Sequence, residues 1–278
     1  MSDPTTQLRS QYPDLFRTDP VWLWRERLIV GGLIAALIWC LYDFDATPVR
    51  LWNGIQRLGQ ILSFMFPPHV WGSWAEFAPY AKGLLETLVM AFLGTVLAMV
   101  IALPLSLLGA ENLNRFWLLR FGVRRGFDVL RAFETLLIAL ILIRAFGLGP
   151  LAGVLAIAIS DIGGFAKLYA EAIENTSKKP VEGVVSAGGG PLQSVLFGVF
   201  PQVMPVILSI TLYQFESNVR SGTILGIVGA GGIGYLLSQN MGMYRWDVAW
   251  SIIILLIAMV YILDTISGRL RARLTEMK

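Results

Sequence analysis

Long apolar runs, separated by short connectors rich in Pro, Gly or charge, set the frame of this chain. The first run covers residues 28–44, about 17 residues and near the lower limit for crossing a bilayer core. Residues 51–66 follow with Leu51, Ile55, Leu58, Ile61 and Leu62 at helical spacing, the pattern of an amphipathic helix lying in an interface. Further runs cover 82–108, 127–146, 151–170, 201–220 and 246–266. The pattern therefore predicts an all-α polytopic membrane protein with about six transmembrane helices, Phe127–Phe146 being the third.

Between the fourth and fifth runs stands a mixed segment, Pro180 to Pro205. Pro180 suits a first helical turn, Glu182 sits near the positive end of that helix, and Gly188-Gly189-Gly190 stops it before Pro191 starts another. The expected product is a short bent helix pair. After the fifth run, residues 221–245 are Gly-rich, and Gly229, Gly231 and Gly234 spell G-x-G-x-x-G. A dinucleotide site would need a strand before and a helix after, inside an alternating strand–helix unit. An apolar run precedes this one, so the glycines are read as allowing close helix approach or irregular backbone along a cavity.

Composition narrows the class. The 278 residues are 55% hydrophobic, and 15% are charged, against roughly 25% in a soluble domain. Mean hydropathy is +0.64. A net charge of +3 needs no nucleic-acid partner. The single cysteine, Cys40, excludes an internal disulfide, and the single histidine, His69, cannot build a His-based metal site. The N-terminal segment shows no small-residue cleavage pattern and reads as a cytoplasmic arm over 1–27 with Trp22 and Trp24 as interfacial anchors. Residues 28–79 are then the first span with its periplasmic interfacial helix, 80–268 the main transmembrane domain, and 269–278 a basic cytoplasmic tail. Six spans put 16 of the 22 Lys and Arg on the side of the termini and the Glu182 loop, and 6 on the other. The positive-inside rule places both termini and that loop in the cytoplasm.

The 171–200 loop resembles the coupling loop of ABC importer permeases, in which a Glu is followed by small residues, a Gly six positions on and a Pro nineteen on. Glu182, Gly183, Gly188 and Pro201 keep that pattern, while Gly183, Val184 and Gly189 stand where alanines are usual. Glu216, Asn218, Val219 and Arg220, then Leu225, Gly226 and 228–234, together with Tyr169 to Glu174, resemble the permeases of phosphonate and phosphite importers. The resemblance covers roughly residues 80–278. It implies a type I ABC importer permease fold and a homodimer in the bacterial inner membrane. The coupling loop of each copy would contact one of two ATPase subunits, which carry ATP and Mg. A periplasmic or lipid-anchored binding protein would supply a phosphonate, phosphite or related oxyanion. The same machine for another small solute, such as methionine or betaine, stays open, and an unpowered channel or membrane enzyme is the rival class. No nucleophile–base pair, metal cluster or P-loop is visible, so no catalytic residue is expected and no cofactor is bound directly.

Charges inside spans are expensive and mark function by default. Arg131 and Glu134, three apart, and Glu216 and Arg220, four apart, are expected to pair on their own helices. With Asn218 they are the candidate lining of an anion pathway, and Arg144 is a further candidate cation. Asp161 has no such neighbour on its own helix.

Overall fold

The computed structural model describes residues 20–276. Residues 1–19 of the expected arm, with Arg9 and Arg17, lie outside it, as do 277 and 278 of the tail. The chain separates into two compact units that divide between Ser63 and Phe64. In the first, α1 (Pro20–Asp43) and α2 (Pro48–Met65) meet at a 62° bend, and the pair is apolar enough for a broken span or a re-entrant loop. Residues 20–27 of the expected arm are thus the first turns of α1.

The second unit contains four helical stretches long and apolar enough to cross a membrane: Trp74–Gly109, Pro150–Glu174, Pro191–Ala230 and Trp246–Arg273. The first is α3 (Trp74–Gly109). Ser73 caps it, accepting from the Glu76 N–H at 3.4 Å, and Glu76 places a negative charge in the first turn. One face is a stripe of small residues, including Gly83, Ala91, Gly94, Thr95, Ala98 and Ala102, all buried. It packs on the matching face of α6 (Pro150–Glu174), where Ala152, Gly153, Ala156 and Ile157 are buried. A Cβ on Gly94 would sit 2.7 Å from Ile157, so this spacing exists only because the stripe is small. Behind it, Phe165, Tyr169, Val203 and Ile207 build the largest core cluster.

The expected third span is not one helix. α4 (Trp117–Ala132) ends at Phe133 and Glu134, both extended, and α5 (Thr135–Phe146) starts again. The apolar pattern over 127–146 concealed the reason. α4 carries Arg120, Arg124 and Arg125, whose partners are Glu111, Glu174 and Asp128, so it is amphipathic. Only α5 is predominantly apolar, with Arg144 in its last turn. Arg131 and Glu134 consequently stand on either side of a break, not on one helix face.

α7 (Lys178–Ser186) follows, then Pro191–Gln193 opens a helical path that runs through a π-helical stretch, 194–199, into α8 (Phe200–Leu225). The expected loop to residue 200 is therefore partly helix, continuous with the fifth span. A second π-helical stretch, Gly226–Ala230, leads to α9 (Gly232–Gly242). The last helix, α10 (Trp246–Glu276), includes the arginines expected in a separate tail.

Candidate functional site

α7 begins two residues before Pro180, with Ser177 as N-cap. The Ser177 hydroxyl makes no cap bond. Gln202 holds this end instead: its Oε1 accepts the Ser177 N–H at 3.0 Å, and its Nε2 donates to the Ser177 carbonyl at 3.2 Å and the Gly198 carbonyl at 2.6 Å. The body of α7 rests on the 194–199 stretch, where a Cβ on Gly198 would lie 3.0 Å from the Val181 Cα. Two contacts thus tie α7 to the foot of α8. Neither Gly198 nor Gln202 was singled out from sequence; the polar Gln directly after Pro201, in an apolar run, was the available signal.

The end of α7 is built by glycine. Gly188 has φ +86°, a left-handed conformation that β-carbons resist, and its N–H donates to the Val185 carbonyl at 2.9 Å. Gly189 turns back against Val184, where a Cβ would meet the Val184 carbonyl oxygen at 2.8 Å. Glu182, Gly183 and Gly188 are exposed, and Pro201 stands in the first turn of α8. Val185, Leu192, Leu196 and Phe197 are exposed in the same segment. The structure therefore brings the expected coupling residues into one exposed polar-and-apolar platform.

The second region is polar and buried. Asn218 on α8 donates to Thr95 on α3 at 2.9 Å and to Asp161 on α6 at 2.5 Å. Gln214, one turn before Asn218, donates to the other Asp161 oxygen at 3.1 Å. Asp161, without a partner on its own helix, is met by two amides from α8. This network joins three long helices, as buried polar groups require. Beside it lies a cavity of about 480 Å³, lined by Arg131, Glu134, Thr135, Ser160, Asp161 and Gln214 among others. Thr135 and Ser160 share a hydrogen bond of 2.7 Å across it.

The third region is an ion cluster. Arg220 meets Glu216 at 3.4 Å, the expected pair. It also meets Asp264 at 3.6 Å, and Arg271 meets Glu216 at 3.1 Å, both partners coming from α10. Arg271 stacks on Tyr213 with 5.7 Å to the ring centre. Glu216 and Asn218, two apart on α8, therefore serve different neighbours. Arg144 is exposed at the end of α5 and is absent from the lining of the Asp161 cavity. Among the described residues no three His, Cys, Asp or Glu groups converge as a metal site. The G-x-G-x-x-G run is a helix crossing: a Cβ on Gly226 would lie 2.5 Å from the Gly231 carbonyl and 2.8 Å from Gly234. Thr87 accepts the Ile233 N–H at 3.0 Å there.

An exposed short helix clamped to a long one, in a helical core with four candidate spans among the described residues, fits a permease of the ABC importer type. Residues 94–276 match the family of binding-protein-dependent transport system inner membrane components, and the chain belongs to it. It is 35% identical over 265 residues to a phosphate-import permease of Mycolicibacterium smegmatis, covering 94% of this chain and 49% of that protein. It thus spans about half the length of that relative. To a phosphite transport system permease of Stutzerimonas stutzeri it is 34% identical over 252 residues, covering 89% of each. A solved inward-facing methionine ABC transporter matches 73% of this chain and 99% of its own, with a TM-score of 0.64 at 21% identity, a likeness of fold.

Proposed function

We propose that this chain is the membrane subunit of an ATP-driven importer for a phosphorus oxyanion: a phosphonate, phosphite or phosphate. The substrate class is supported by what the two relatives carry, phosphate and phosphite. Two copies would form the conduit. Two separate subunits would bind ATP and Mg, and a periplasmic or lipid-anchored protein would deliver the substrate. The lysine and arginine distribution supports a cytoplasmic α7 and cytoplasmic termini.

The observation that carries this reading is the α7 platform. Glu182 and Gly183 are exposed beside Val185, Leu192, Leu196 and Phe197, an apolar rim that a partner would cover. Movement of α7 reaches α8 through Gln202 and Gly198, so closure of the ATPases would rotate α8 as a rigid body. Arg131, Glu134 and Asn218 border the route in this proposal. Glu216 and Arg220 belong to the frame that fixes α8 to α10. The test is uptake of phosphite, methylphosphonate and phosphate by proteoliposomes holding the permease with its ATPase and binding protein. Uptake of at least one that requires ATP hydrolysis is expected. Uptake indifferent to ATP would return the chain to the channel class, and uptake of methionine alone would move the substrate.

A further inference from the structure

The break between α4 and α5 opens non-helical backbone at Phe133 and Glu134 within the unit that holds the spans. Such backbone is tolerated in a membrane protein where it lines a cavity, and here it does. Arg131 reaches that cavity from the end of α4, and its stem lies against Gly163 of α6, where a Cβ would stand 3.2 Å from the Arg131 Cγ and 2.7 Å from the Phe127 carbonyl. Gly163 therefore positions Arg131. Neither Arg131 nor Glu134 makes a side-chain hydrogen bond or ion pair among the described residues, although both line the same space as buried Asp161. The first turn of α5 also opens here: Glu134 caps it without a side-chain bond, leaving free N–H groups at its positive end.

We infer that this cavity is the permease's own subsite for a protonated phosphorus oxyanion, with Arg131 holding the ionised oxygens and Glu134 accepting a hydrogen bond from the P–OH. The inference rests on the importer reading above. Its chemistry follows from the donor inventory. A guanidinium offers only donors and pairs with P–O⁻ in a fork, whereas an ionised carboxylate offers only acceptors. Two lone-pair oxygens facing each other repel, so a carboxylate beside the anion is tolerable only when the anion brings a proton. Phosphate and alkylphosphonates carry a P–OH over much of the neutral range and phosphite on its acid side, its other hydrogen being a P–H that donates nothing; sulfate carries none. Asp161 adds a second acceptor, already held by Gln214 and Asn218. The site would therefore select protonated phosphorus oxyanions over sulfate, independently of any binding protein.

The test has two stages. The whole complex in proteoliposomes must take up phosphite, methylphosphonate or phosphate; if it takes up none, the importer reading fails and the subsite with it. Given uptake, the permease–ATPase complex without binding protein is dialysed in nanodiscs against radiolabelled phosphate. Saturable binding is expected, weakened tenfold or more by Arg131→Gln and partly restored by Arg131→Lys. Sulfate should compete poorly with the native protein and at least tenfold better with Glu134→Gln, whose lost carboxylate has no structural partner to disturb. ATP hydrolysis by each variant reports that the complex has assembled. Phosphate binding that is absent in the native complex or indifferent to Arg131→Gln, or sulfate competing as well as phosphate in the native protein, overturns the subsite and leaves the importer reading intact.

Discussion

Gly234 shows how little room a single position can leave. A Cβ there would run into the Thr223 carbonyl oxygen and lie 3.0 Å from the Gly226 Cα. Both are backbone, so no side-chain rotation relieves the contact. Gly234→Ala should lower stability by about 1–3 kcal/mol, the usual range for overpacking. Gly242→Ala, with nothing within 4 Å, is the control. Thermal unfolding of the purified proteins reads the difference, and equal midpoints would mean that the α8–α9 crossing relaxes freely. Gly188 differs: it has open space but φ +86°. Gly188→Val is therefore strained by its backbone alone, costing roughly 1–2 kcal/mol locally. We expect normal membrane insertion with loss of uptake in cells. Uptake near the native level would remove the coupling role assigned to this turn.

At the scale of elements, two joints matter. The first is α7 on α8. Gln202→Ala deletes three hydrogen bonds at once, while the exposed α7 surface proposed for the ATPase stays intact. We expect the ATPase still to bind and hydrolyse ATP, with uptake per ATP reduced several-fold. A proportional fall in both would show that Gln202 serves assembly rather than transmission. The second joint is α8 on α10. The pair Glu216–Arg220 suggested that losing Arg220 strands Glu216, but Arg271 changes that. Arg271 is nearer to Glu216, at 3.1 Å against 3.4 Å, and less exposed, with 30% of its side chain accessible against 46%. Screening weakens the outer pair. Arg271→Ala should therefore cost more, about 1.5–3 kcal/mol for a hydrogen bond to a charged group. A double-mutant cycle with Glu216→Gln should give a coupling energy above about 0.5 kcal/mol for Arg271. A larger coupling for Arg220 would reverse the assignment.

For the whole molecule the open quantity is orientation. Counted on the six apolar runs, the 16-to-6 split of Lys and Arg favours a cytoplasmic α7. In a Cys40→Ala background, Ser186→Cys should react with a membrane-impermeant thiol reagent only from inside-out vesicles. Gly72→Cys should react only from outside. Gly72 is exposed with open space around it, and unlike Ser73 it caps no helix. Labelling in the opposite sense would detach α7 from any cytoplasmic ATPase.

Amino-acid order alone determined the apolar runs, since a residue's cost in a bilayer depends on its own chemistry, and it placed four of the long helical stretches. It also marked the α7 platform: Gly188 and Pro201 act through local backbone rules that need no distant partner. The break at Phe133–Glu134 was hidden, because Arg120 and Arg124 of α4 become affordable only when Glu111 and Glu174 meet them in space; Asp128, three residues from Arg125, is a neighbour on the same helix. Asp161 looked solitary along the chain, yet its partners stand 53 and 57 positions away. The Glu216–Arg220 pair was legible as an i,i+4 spacing, while Asp264 and Arg271 were not, being supplied by another helix. Local geometry and burial tendency are written residue by residue. Charge compensation between helices depends on which faces pack together, and only the tertiary structure decides that.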